Sequence, residues 1–206
     1  MNLRLAAFLF ALSLSVTSAH AQNVRIRGTI EAIDGSMLTV KSREGNTLKV
    51  KVADDTNIQA MVPVSLADIK PNSFVGATAM PEDNGRWRAI EVHLFPEAMR
   101  GTGEGDRAFD YRPTSTMTNG TVGAVSKATM GGAVEMKQGT TLTLKYKGGE
   151  KQVDVTPQTV IYTYAAGDKN ELKPGAVIFV SAATRQSDGT LTTARLNVAR
   201  GVVPPM

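Results

Sequence analysis

The residue types that carry chemistry are few and scattered. Glu91 and His93 alternate along one strand face and offer a start to a metal site. Zinc needs three or four nitrogen or sulfur donors, and the second histidine, His20, lies in the N-terminal leader. Metal ligation is therefore not expected, and the pair reads as a solvated face opposite Ile90, Val92 and Leu94. Met130 and Met136 offer soft thioethers to copper(I), but methionine commonly fills gaps in cores. Asp54-Asp55 lacks the glycine and following acids of a calcium loop and reads as a turn.

Nucleophilic hydrolysis has no better footing. The chain has no cysteine, one histidine after the leader, and no G-x-S-x-G elbow. Asp106 and Asp110 are a carboxylate pair of the kind that cleaves glycosides, but acids among arginines are usually salt-paired. Gly101, Gly103 and Gly105 lack the Lys-Ser/Thr of a phosphate cradle. No enzymatic activity and no cofactor are expected. Two clusters instead suit recognition: Arg86-Trp87-Arg88, and Arg107, Phe109, Tyr111 and Arg112 between the two halves of the chain. They are the candidate partner-binding residues, with Trp87 equally readable as a core residue.

These residues must be positioned by strands. Apolar and polar residues alternate with period two over Val24–Ile33, Met37–Lys41 and Leu48–Val52, with Asp34-Gly35 and Gly45-Asn46 between them as tight turns. Ser65–Ile69 follows as a one-turn helix with Ser65 as its N-cap and Asp68 three residues on. Phe74–Met80 and Trp87–Leu94 complete the set across a turn at Asn84-Gly85. The order then repeats in Asn119–Val125, Thr141–Tyr146 and Gln152–Val155, a capping pair Asp168/Glu171, Ala176–Ala182 and Leu191–Val198.

The duplication is visible residue by residue. LADIKPNSFVGATA at 66–79 returns as ELKPGAVIFVSAA at 171–183. Ile58 matches Ile161 and Pro71 matches Pro174, both 103 apart, while Leu38-Thr39-Val40 matches Leu142-Thr143-Leu144, 104 apart. Gly28-Thr29-Ile30 matches Gly120-Thr121-Val122 at only 92, so the second copy carries an insertion near Lys127–Gly139.

Three strands, a helical turn and two strands is the order of an OB-type barrel, with a small sandwich or SH3-like barrel as the alternative. The fold expected is all-β: two tandem five-stranded OB-like barrels, with a short helical turn before the fourth strand of each. Residues 22–95 and 119–200 are the two barrel repeats, each expected to close its own sheet, and 201–206 an extended, solvated tail. Residues 96–118 form a linker whose aromatic second half is expected to dock across both barrels.

Residues 1–21 read as a signal peptide, with Arg4, the apolar run Leu5–Val16 and Ala19-His20-Ala21 as the cleavage pattern. A periplasmic protein cut after Ala21, with no later membrane-spanning segment, is the expectation. The net charge of +4 is too small and too well mixed for nucleic-acid binding. A periplasmic protein, peptide or oligosaccharide is the partner expected.

The motifs LKPGAVIFVSAA, SDGTLTTARL, RGTGEGD, RPTSTMTNGTV and the terminal VVPPM together resemble the bacterial exported proteins of the domain of unknown function 5666 family. The resemblance covers the chain after its leader, in two copies. It implies the fold and the location and brings no catalytic residues. Such relatives are often labelled as linked to metal transporter permeases, which implies metal handling beside a transport system as an alternative role. The absence of a membrane-spanning segment speaks against a permease itself.

Overall fold

The computed structural model describes residues 23–83, 85–132, 135–202 and 204, with the backbone alone at 128–138. The signal-peptide reading, Asn84 and the side chains of Met130 and Met136 lie outside the described residues.

The chain is all-β. The first repeat forms β1 (Asn23–Asp34), β2 (Met37–Ser42), β3 (Thr47–Lys51), β4 (Asn57–Pro63), β5 (Phe74–Pro81) and β6 (Trp87–Leu94). A short linker strand, β7 (Gly105–Ala108), precedes the second repeat. That repeat forms β8 (Thr116–Gly132), β9 (Glu135–Tyr146), β10 (Gly149–Val155), β11 (Val160–Ala166), β12 (Val177–Arg185), β13 (Leu191–Thr192) and β14 (Arg195–Ala199). The tight turns fall where the glycines stand, with Gly35, Gly45, Gly148 and Gly189 all at positive φ. Both helical turns form before the fifth strand of their repeat, at Leu66–Asp68 and Lys169–Glu171, the fourth place being taken by β4 and β11. Each carries a complete capping box, from Ser65 with Asp68 and from Asp168 with Glu171. The insertion lengthens the β8–β9 hairpin, which stays paired out to Gly132 opposite Glu135.

Two five-stranded barrels close, but not along the expected boundaries. In barrel one, β1–β2–β3 continue to β13, then to β12, and β12 pairs back onto β1. In barrel two, β8–β9–β10 continue to β6, then to β5, and β5 pairs back onto β8. Each barrel therefore takes three strands from one repeat and its closing strands from the other. The cores follow the exchange. Ile26, Val40 and Val50 pack with Ile178, Val180 and Leu196 in barrel one. Val75, Ala77 and Val92 pack with Val122, Leu144 and Val153 in barrel two.

The boundaries 22–95 and 119–200 are thus sequence repeats and not barrels. The physical reason is that the closing strands of both repeats present similar apolar faces. Alternation along a strand specifies that it closes a barrel, not which barrel it closes.

The exchange runs through β4 and β11, which the strand reading passed over. They pair antiparallel, and Met61 lies opposite Tyr164, its own repeat equivalent 103 residues on. A local two-fold axis therefore passes between them. On either side, β4 pairs parallel to β14 and β11 parallel to β6, through the related pairs Asn57/Arg195 and Val160/Glu91. The central run β14–β4–β11–β6 joins both barrels into one 14-stranded sheet.

A candidate ligand site between the barrels

Each strand of the central run turns one face into a barrel and the other into the space between barrels. Ile58 and Ala60 of β4 enter core one, while Gln59 and Met61 line a cavity. Val92 of β6 enters core two, while Glu91, His93 and the following Phe95 line the same cavity. Tyr162 and Tyr164 of β11 and Arg195 and Asn197 of β14 complete the floor. Arg25 and Arg27 of β1, Phe179 and Ser181 of β12, and Met117 and Asn119 of β8 form the sides. The cavity holds about 170 Å³.

The linker closes over this space and is docked along both halves. Its β7 pairs with β8, and Arg107 and Phe109 reach the cavity wall. Phe109 lies under the guanidinium groups of Arg25 and Arg27, at 4.9 and 5.0 Å from their carbons. Asp110 takes both arginines, at 2.7 and 2.9 Å. Burial would raise the Asp110 carboxyl, but the hydrogen bonds and charge of Arg27 and Arg25 outweigh it and hold it down at about 2. In the glycine-rich half, Glu104 accepts from the Lys147 backbone N–H at 2.9 Å, and Arg100 donates to the Asn72 carbonyl at 2.9 Å. The linker thus touches barrel one through β1 and barrel two through β8, as its aromatic composition suggested.

The tail departs from expectation. Arg200 donates its backbone N–H to the Met61 carbonyl and pairs through its side chain with Glu171. That directs the chain back over the central strands, and Pro204 is buried on the cavity wall rather than extended into solvent.

Glu91 and His93 also depart from it. They do lie on the face opposite Val92, but that face looks into the cavity between the barrels and is not solvated; Glu91 is 7 % and His93 5 % exposed. His93 Nε2 lies 2.9 Å from Glu91 Oε1 and 2.7 Å from the Tyr162 hydroxyl, and Nδ1 lies 3.3 Å from the Tyr164 hydroxyl. The Thr78 hydroxyl donates to the same Glu91 oxygen at 2.7 Å. Burial pushes the Glu91 carboxyl up, but the His93 charge, with hydrogen bonds from His93 and Thr78, brings it below its ordinary value. Burial and the nearby Glu91 charge raise both tyrosine hydroxyls, so they stay protonated. Among the described residues, no three His, Cys, Asp or Glu side chains converge as a metal site would need.

The cavity straddles the two-fold axis, so its residues come in repeat-equivalent pairs. Glu91 answers to Arg195, His93 to Asn197, Gln59 to Tyr162 and Arg27 to Asn119. Every one of these pairs has changed chemistry. Asn119 and Asn197 are 4 % and 5 % exposed, and the side-chain oxygen of each has no hydrogen-bond partner among the described residues. Asn119 is held in place by its amide nitrogen, which donates to the Thr102 carbonyl at 2.9 Å. A buried carbonyl without a donor costs about 1–3 kcal/mol, so two in one cavity need a reason.

Of the candidate binding residues, Arg107 and Phe109 reach this cavity. Tyr111 and Arg112 fall in the adjoining surface loop, where Arg112 stacks over Tyr111 and Arg43 donates to the Asp110 and Tyr111 carbonyls. Arg86, Trp87 and Arg88 lie on barrel two and are not among the cavity-lining residues. Arg86 forks onto the buried Asp154, Arg88 pairs with Glu82, and Trp87 packs on core two. Lys151 lies 3.4 Å from the Trp87 ring centre and pairs with Asp106. The residues missed by sequence reading, Arg25, Arg27, Asn119, Tyr162, Tyr164, Phe179, Arg195 and Asn197, had one available signal. They include repeat-equivalent positions on outward strand faces whose chemistry had diverged.

No helix among the described residues is long and apolar enough to cross a membrane. No curated protein and no solved structure matches the chain significantly. A family model matches twice, over residues 27–93 and 131–196, which together cover more than half of the sequence. The two matched regions are the two repeats that exchange strands here, and the chain belongs to the domain of unknown function family DUF5666.

Proposed function

We propose that this is a non-enzymatic binding protein of the periplasm that holds a small molecule in the cavity between its barrels. The observation that carries the reading is the pair of buried, partnerless Asn119 and Asn197 carbonyls in a preformed cavity on the repeat axis. Ligand pockets favour such interfaces, with an aromatic lining and a few convergent polar groups. A cavity of about 170 Å³ suits a small molecule better than a peptide or oligosaccharide. The leader at residues 1–21 supports export.

The test is a thermal-shift screen of small organic acids, amines and sugars against the protein and its Ser181→Trp variant. Ser181 is exposed on the cavity rim, so the indole blocks the cavity without entering either core. Compounds that stabilise the protein but not the variant support the site. Compounds that stabilise both equally, or none at all, overturn it.

The metal-handling alternative draws less from the geometry, because both His93 nitrogens already face tyrosine hydroxyls. Equilibrium dialysis against copper, zinc and nickel tests it, and stoichiometric binding abolished by His93→Ala would restore it.

A further inference from the structure

Resting on the cavity as a ligand site, we infer that its ligand is a small planar aromatic acid carrying a hydroxyl group. Size comes first. An apolar cavity of about 150 Å³ admits benzene, so about 170 Å³ accommodates one substituted ring and little more.

Charge comes second. Arg25 and Arg27 share the single carboxylate of Asp110, and neither Arg107 nor Arg195 forms an ion pair with a described residue. Arg107 donates only to the Gly103 carbonyl among them. Arg195 stands where the other repeat has Glu91, so the two equivalent positions carry opposite charges. Two exposed guanidinium groups on a cavity wall favour a carboxylate, which they bind in a planar fork.

Shape and hydrogen bonding complete the description. Phe95, Tyr164 and Phe179 all line the cavity, with Phe95 and Tyr164 tilted by 32° at 5.6 Å between ring centres and Arg27 over Phe179 at 5.1 Å, so the walls are largely aromatic and suit a guest ring. The Asn119 and Asn197 oxygens accept hydrogen bonds and cannot donate them. A carboxylate has no donor to give, so the guest must bring a donor as well, of which a hydroxyl is the smallest. A ring bearing both groups meets an arginine with the carboxylate and donates its O–H to one of the two asparagine oxygens.

Titration calorimetry on the full chain without its leader tests this with four probes of one size. They are 4-hydroxybenzoate, benzoate, cyclohexanecarboxylate and 4-hydroxybenzyl alcohol. Binding of 4-hydroxybenzoate is expected, weakened about tenfold or more in benzoate and in 4-hydroxybenzyl alcohol, the effect of one lost hydrogen bond or ion pair, and further in cyclohexanecarboxylate, which lacks both the hydroxyl and the flat ring. Arg195→Gln, at an exposed position, is expected to weaken all three acids and leave the alcohol unchanged.

Equal affinity for all four probes overturns the inference, as does 4-hydroxybenzoate binding that survives both Arg195→Gln and Ser181→Trp. If none of the four binds while other compounds are blocked by Ser181→Trp, the ligand class is wrong and the site stands. If nothing is blocked by that variant, both readings fail.

Discussion

Glu91 and His93 show how burial changes the meaning of a pair of side chains. On a solvated strand they are worth little; enclosed with Tyr162, Tyr164 and Thr78 they form a polar network in which each group depends on the others. Removing one partner leaves the rest unpaired in a low-dielectric space. His93→Ala is therefore expected to cost about 3 kcal/mol, read by urea denaturation, whereas an exposed position would cost almost nothing. Asp110 gives a pH dependence of known sign. Its carboxyl is held at about 2, below its ordinary 3.8, so its contribution is complete above pH 3.8 and is lost as pH falls through 2. Stability of the protein and of Asp110→Asn should differ at pH 6 and converge toward pH 2. A difference that grows on acidification would contradict the Arg25–Asp110–Arg27 pairing.

At the scale of the strand, the first strand of each repeat must pass unusually close to its neighbour. A side chain at Gly28 would meet the Lys41 carbonyl at 2.3 Å, and one at the equivalent Gly120 would meet the Lys145 carbonyl at 2.6 Å. Backbone cannot yield as a flexible side chain does. Gly28→Ala and Gly120→Ala are each expected to destabilise by about 1–3 kcal/mol in chemical denaturation, despite adding a single methyl group. Both strands also carry a register shift two residues on, between Ile30 and Ala32 and between Val122 and Ala124. Such bulges sharpen the bend a strand needs to wrap a small barrel. The glycine and the bulge were copied together, which is why Gly28-Thr29-Ile30 and Gly120-Thr121-Val122 stood out in the sequence. The strands β5 and β12 follow directly on the capping boxes. Ser65→Ala and Asp168→Ala should each cost about 1 kcal/mol.

For the molecule as a whole, the reciprocal exchange makes the two repeats one cooperative body. Each core is lined by residues from both, so neither repeat has a closed barrel of its own. The arrangement is that of a strand-swapped dimer whose protomers are covalently joined. Cutting the linker at an engineered protease site near Gly101 should therefore leave the halves bound through gel filtration without denaturant. Separation into two folded monomers would refute the exchange. A chain holding only the first repeat should dimerise, since only a second copy can supply its missing strands.

Much of this was legible without coordinates. The strands, the glycine turns, both capping boxes, the duplication, the lengthened hairpin and the docked linker follow from local rules, because period-two alternation and turn chemistry act between neighbours in the chain. The crossing strands β4 and β11 were less legible. Asn57–Pro63 and Val160–Ala166 do not alternate cleanly, since each strand is covered on both faces. Which strand closes which barrel was decided only in three dimensions, because related repeats offer each other equivalent edges and the sequence energies of the two pairings look alike. The cavity is a consequence of that choice. Glu91, His93, Asn119 and Asn197 share one space only because the repeats cross at Met61 and Tyr164.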